Sequence, residues 1–147
     1  DTRLLQAALF FAAVLSAAAF TVTVSPTGDD ATCANTRNCR TLQAALNAFA
    51  QPGVTFKLVQ YSSIDVLLGI AVKQANTTIT ADRTVAVRCS AAPCFTIANT
   101  AAGSSLRSLA FDGSKQLIGG SAVAVRAAGV TIEGCSFTGF TLSNLAQ

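Results

Sequence analysis

Gly103-Ser-Ser-Leu106-Arg-Ser-Leu109-Ala-Phe111-Asp-Gly113 and Gly129-Val-Thr-Ile132-Glu-Gly-Cys135-Ser-Phe137-Thr-Gly139 are the two stretches on which the fold turns. They align without a gap, Gly103 on Gly129 at one end and Gly113 on Gly139 at the other. Phenylalanine also meets phenylalanine, and the apolar positions coincide. A period of this length marks a repeat architecture, whose units bury their apolar faces only against one another. Upstream the spacing loosens. Ile79 precedes Leu106 by one position more than the period, and Ile70/Val72, Phe95/Ile97 and Val123/Val125 recur at one shorter and one longer step. Phe56/Leu58 and Val85/Val87 are further pairs with one residue between them, the spacing of side chains on one face of a strand. Between the pairs lie Gly, Ser, Thr, Asn and Asp, without hairpin signals such as Asn-Gly. Short strands of this kind fit a sandwich, a barrel or a solenoid, and the repeat favours the solenoid. The Leu-x-x-Leu-x-Leu consensus of leucine-rich repeats is missing.

The expected fold is therefore all-β: a parallel β-helix, or solenoid, with about 26 residues per coil. Residues 54–140 have room for a little over three coils, about the minimum for a stable stack. A stack exposes unpaired strand edges at its ends unless they are covered. Thr41 to Phe49 reads as a helix with Leu42, Ala45, Leu46 and Phe49 on one face, stopped by Pro52-Gly53. It is expected to cap the N-terminal end. Residues 21–53 then form an opening strand (Thr21-Val-Thr-Val24), a cysteine loop and this helix, and residues 54–147 the coils, expected to be truncated at the C-terminus. Arg107 and Glu133, one period apart, should sit one above the other as a surface ion pair.

Asp1 to Phe20 is different in kind. Arg3 precedes an apolar run that ends in Ala17-Ala18-Ala19, the layout of a secretory signal peptide. A retained signal anchor and a buried helix are the alternatives. The five cysteines agree with export. Cys33 and Cys39 are close in sequence, as are Cys89 and Cys94, and none has the C-x-x-C spacing of a zinc or redox site. Two short-range disulfides with Cys135 left free is the plainest expectation, against five reduced core cysteines. Asn76-Thr77-Thr78 is an N-glycosylation sequon, making Asn76 a candidate glycosylation site. The expected location is secreted or cell-surface.

Composition limits the chemistry. The chain of 147 residues is 51% hydrophobic and 12% charged, with net charge +3, and lacks His, Met and Trp. An average domain has about 25% charged residues. Without His there is no His-based metal site, general base or Ser-His-Asp triad. No Lys or Arg run suggests nucleic acid. After the leader the carboxylates are Asp29, Asp30, Asp65, Asp82, Asp112 and Glu133. Asp29-Asp30, Asp82 and Asp112 lie in turn contexts, and no two fall at matching positions of successive coils. No catalytic, metal or cofactor residue is therefore assigned. Thr21-Val-Thr23 and Thr78-Ile-Thr80 hint at a threonine binding surface, but they are not one coil apart, and β-propensity explains them. Tyr61, the single tyrosine, is read as a loop or strand-edge residue.

Several segments resemble a known family. Val24-Ser-Pro-Thr-Gly28-Asp29, Cys33, Cys39 and Arg40-Thr-Leu-Gln-Ala-Ala45 resemble the opening segment of right-handed parallel β-helices of the pectin-lyase-like superfamily. Cys89-Ser-Ala-Ala-Pro-Cys94-Phe-Thr-Ile97, Gly119-Gly-Ser-Ala-Val123 and Val130-Thr-Ile-Glu-Gly-Cys-Ser-Phe137 are similar to polymorphic-outer-membrane-protein-like repeats. Those repeats carry Gly-Gly-Ala-aliphatic and Phe-x-x-Asn motifs. Here the first reads Gly119-Gly120-Ser121-Ala122, and the second ends in Phe140. The resemblance implies a non-catalytic secreted or cell-surface module with an adhesive, wall-associated or scaffold role. Its partner would be a cell-wall or matrix polysaccharide or a surface protein, with membrane contact only if the leader is retained. The alternative is a polysaccharide lyase or glycoside hydrolase of the same fold. A hydrolase needs two carboxyl groups about 5–9.5 Å apart, and a calcium-dependent lyase several clustered carboxylates. Enzyme activity is thus left open, with the sparse carboxylates weighing against it.

Overall fold

A computed structural model describes residues 19–116 and 120–140. The leader up to residue 18, Gly119 and the stretch after Phe140 lie outside the described residues. The chain folds as a parallel β-solenoid of about three turns, in which every strand pairing is parallel.

Each turn lays down three short strands, one in each of three sheets. The first turn contains β3 (Val54–Leu58), β4 (Ser63–Val66) and β5 (Ile70–Val72). The second contains β6 (Thr78–Ala81), β7 (Val85–Cys89) and β8 (Phe95–Ile97), and the third β9 (Ser105–Arg107), β10 (Leu109–Asp112) and β11 (Val123–Val125). Two strands of a fourth follow, β12 (Thr131–Glu133) and β13 (Ser136–Thr138). Before the first turn come β1 (Phe20–Val24), a four-residue helix α1 (Cys33–Thr36), β2 (Asn38–Cys39) and the helix α2 (Leu42–Ala48). Sheet A is ordered β12-β9-β6-β3-β1-β2, sheet B β13-β10-β7-β4, and sheet C β11-β8-β5.

Alternation within strands produces the core. In β3, Val54, Phe56 and Leu58 are buried while Lys57 is exposed, and in β7, Val85, Val87 and Cys89 are buried while Arg88 is exposed. The register stacks inward residues into columns. Val22, Phe56, Ile79, Leu106 and Ile132 form one in sheet A. Ile64, Val87, Phe111 and Phe137 form one in sheet B, and Ile70, Phe95 and Val123 one in sheet C. The Phe111 and Phe137 rings stack with centroids 5.2 Å apart, and Phe95 meets Phe111 edge-on at 5.3 Å. In the last described strands of the three sheets, Val125, Ile132 and Phe137 are exposed at 46%, 40% and 48%.

The corner leading into sheet A is also stacked. Gly53, Asn76, Gly103 and Gly129 all have positive φ, at 81°, 55°, 76° and 69°. Gly53 donates its N–H to Ala75 O, Asn76 to Ala102 O and Gly103 to Ala128 O, so each corner hangs on the next. Glycine takes this conformation without a Cβ penalty, and Asn tolerates it better than most residues. A Cβ at Gly103 would also lie 2.3 Å from Asn76 Oδ1. Inside the corner, buried Thr77 donates its N–H to Ser104 Oγ at 3.1 Å and its hydroxyl to Gln74 O at 2.7 Å.

The cap forms as the sequence predicts, within a residue at each end. Thr41 is its N-cap, accepting from Ala44 N at 3.2 Å. Leu42 and Ala45 are buried, and Leu46 and Phe49 pack at the margin of the core. The strand pairs expected from the sequence fall in β3, β5, β7, β8 and β11. Three elements go beyond the expectation: α1 and β2 inside the cysteine loop, and β4. The disulfides Cys33–Cys39 and Cys89–Cys94 are formed, with Cα–Cα distances of 4.8 and 5.4 Å, and Cys135 is a free thiol between β12 and β13.

Candidate functional site: the outer rows and the N-terminal groove

Side chains that alternate with the core point outward, and the register stacks these too. On sheet A, Thr21 pairs with Thr55, Thr55 with Thr78, Thr78 with Ser105 and Ser105 with Thr131. Five consecutive rungs thus present a hydroxyl in one row, about 4.8 Å apart as neighbouring strands are. Thr21 and Thr131 are exposed, and the three between are half-buried. The two threonine stretches, expected from the sequence to be explained by β-propensity alone, thus share one row. They are not one coil apart because they are two rungs apart, joined through Thr55. The loop, α1, β2 and α2 inserted between β1 and β3 hide the periodicity. Ser105 and Thr131 already face each other in the aligned repeat, but Thr55 and the continuity of the row escape a reading of the sequence, because their signal is a register visible only once the inward residues are aligned. The row beside it is mixed: Thr23, Lys57 and Thr80 in succession, then Arg107 over Glu133. The last two form the expected surface ion pair, with Arg107 Nη2 3.8 Å from Glu133 Oε2.

On sheet B the register brings carboxylates together that the linear spacing does not. Asp65 pairs with Arg88, and Arg88 with Asp112, in one outward row. Arg88 Nε lies 2.7 Å from Asp65 Oδ1. Asp112 closes a turn by accepting from Ser114 N at 2.9 Å. That hydrogen bond, helped by the Ser114 hydroxyl and the charges of Lys115 and Arg88, holds its carboxyl below the usual range. The two carboxylates are two rungs apart with a guanidinium between them. Asp29 accepts from Ala31 N, and Asp82 faces Arg83 at 3.8 Å. Among the described residues, no group of three or more His, Cys, Asp or Glu side chains is placed to hold a metal ion.

Asp30 has a role that a turn assignment does not capture. Its carboxylate accepts from Arg40 N at 2.7 Å, Thr41 N at 3.0 Å and Thr41 Oγ1 at 2.9 Å, tying the opening turn to the start of α2. Partial burial pushes its pKa up. The hydrogen bonds from Thr41 and Arg40, with the Arg40 charge, outweigh burial and leave it lowered. Tyr61 donates its hydroxyl to Arg40 O, joining the first turn to the cap, and burial and then the charge of Asp30 raise its pKa. Its position is the loop between β3 and β4, as expected.

Beside that tie the cap leaves part of the first turn uncovered. A groove of about 490 Å³ runs along Ser63 to Ile70, with Val24, Arg40 and Leu42 on its far side. Leu67 and Leu68 stand at its end, 70% and 96% exposed. Asn76 is exposed at its corner, its side chain against the next corner at Gly103.

The molecule defined by these features is a parallel β-solenoid with regular outer rows and an open groove beside its cap. No protein-family model matches the chain, and no curated protein or solved structure is detectably similar to it. The two disulfides fit an extracellular protein. Among the described residues, no helix is long and apolar enough to cross a membrane.

Proposed function

We propose that the chain is a secreted or cell-surface, non-catalytic β-helix module that lays sheet A against an extended wall or matrix polysaccharide. The supporting observation is the hydroxyl row Thr21, Thr55, Thr78, Ser105 and Thr131. Hydroxyls both donate and accept, and a straight row repeating every ~4.8 Å meets successive sugars of an extended chain with equivalent partners. Each such hydrogen bond contributes only about 0.5–1.5 kcal/mol net, and the chain has no Trp to stack on a sugar ring. Binding therefore accumulates along the row, as suits an adhesive or scaffold role. This reading includes a cleaved leader and right-handed, pectin-lyase-like coils, for which the opening segment and the three-sheet turn speak.

The test is retention of the purified chain on insoluble cellulose, chitin, xylan and calcium pectate, with sugar release followed in the same tubes. The wild type is expected to bind at least one of these, and Thr55→Val with Thr78→Val to bind it about tenfold more weakly while remaining folded. Equal retention of the variant, or no retention by any polymer, contradicts the reading. Release of reducing sugars or unsaturated products would transfer support to the lyase or hydrolase alternative, with Asp65 and Asp112 the carboxylates to replace first.

A further inference from the structure

Sheet A has six strands and sheet B four. At the N-terminal end β1 adds a rung beside β3, and β2 another. After Val24 the chain leaves for the cysteine loop and lays no matching strand beside β4. Among the described residues β4 therefore has β7 on one side and no strand on the other. Ala86 donates its N–H to Ser62 O and Ser90 to Val66 O, so the even-numbered residues of this stretch face β7. The backbone N–H and C=O groups of Ser63 and Asp65 consequently face the open rung. The groove runs along this same edge. Ile64 at its floor is only half-buried, although the residue stacked on it in the next turn, Val87, is fully buried.

We propose that this open rung binds an extended peptide segment of a protein partner, with an apolar–basic–apolar sequence, added parallel to β4. Strand addition draws affinity from main-chain hydrogen bonds and specificity from alternate side chains. The apolar residues would continue the columns over Ile64 and Val66, shielding Ile64. The middle residue would continue the row Asp65, Arg88, Asp112, whose charges alternate rung by rung. The next rung beside Asp65 calls for a cation. Arg40 also borders the groove, but its Nε donates to Gly28 O at 3.1 Å on the cap side.

The experiment uses the full chain and two fluorescent, end-blocked peptides, Thr-Val-Lys-Val-Thr and Thr-Val-Glu-Val-Thr, with binding read by anisotropy and by amide exchange. The lysine peptide is expected to bind at least fivefold more tightly and to slow exchange at the Ser63 and Asp65 amides. Ser63→Pro removes an N–H that faces the open rung and spares the bonds to β7, a position where an edge strand tolerates proline. It should abolish binding with exchange at Ala86, whose N–H donates to Ser62 O, unchanged. Asp65→Asn should erase the preference between the peptides. The proposal is overturned if neither peptide binds, if the glutamate peptide binds as tightly, if those two amides stay unprotected, or if either variant behaves as the wild type.

Discussion

Asp30 is where the cap is fastened. Three hydrogen bonds converge on a carboxylate whose pKa is lowered in the folded chain. A lowered pKa means that this contribution is complete at neutral pH and is lost as pH falls through the ordinary carboxylate range and below. Asp30→Asn is expected to cost about 1 kcal/mol in urea unfolding at pH 7, a typical loss for a helix-start contact, and to flatten the acid side of the stability profile. An unchanged profile would show that the anchor carries no weight. The sequence marks Asp30 as a turn residue and nothing more, since its partners Arg40 and Thr41 lie beyond the whole cysteine loop. The threonines show the same gap. Their identity is plain in the chain, but their alignment depends on how many residues each turn consumes.

The strands illustrate which patterns survive reading from sequence. β3, β5, β7, β8 and β11 are bounded by turn residues and show apolar residues at alternate positions. In Ser63-Ile-Asp-Val-Leu-Leu68 the same alternation runs into two further leucines, which blurs the strand. The structure resolves this: Ile64 and Val66 face inward, and Leu67 and Leu68 belong to the exposed turn after β4. Two substitutions test the stacked elements. Phe111→Ala, in the middle of the sheet B column, is expected to cost about 3–5 kcal/mol by denaturant unfolding. Gly103→Ala meets both a positive φ and Asn76 Oδ1, whereas at Gly129 the nearest atoms to an added Cβ are 3.7 Å away. Gly103→Ala should therefore be the more destabilising of the two, with Gly129→Ala adding strain of about 1 kcal/mol alone. Equal costs would mean that the corners are not stacked as described.

For the molecule as a whole, the repeat of Gly103–Gly113 at Gly129–Gly139 makes the solenoid legible, and the irregular steps elsewhere make its register illegible. The step from Thr55 to its partner Thr78 is shorter than that period, and those from Thr78 to Ser105 and from Phe95 to Val123 are longer. Turns of unequal length hide in the sequence which strand positions pair, while burial still marks the inward residues of each strand by their apolar character. Hence the core is readable in the chain while the hydroxyl row, the charged row and the open rung are not. The disulfides close loops with separations of only six and five residues, so each should add about 2 kcal/mol. Before reduction, alkylation is expected to label Cys135 alone, and after reduction and unfolding all five cysteines. More than one label on the unreduced chain would contradict the pairing.

The register of sheet A carries both the fold and the proposed binding face, and cysteine trapping tests it directly. In a Cys135→Ala background, Thr55→Cys with Thr78→Cys places two thiols on adjacent rungs, within the Cα separation that a disulfide spans. Thr55→Cys with Thr80→Cys places them on a diagonal about 7–8 Å long, beyond that span. Mild oxidation followed by peptide mass mapping should find the first cross-link nearly complete and the second nearly absent. Equal yields, or a preference for the second pair, would contradict the stacked register and with it the hydroxyl row.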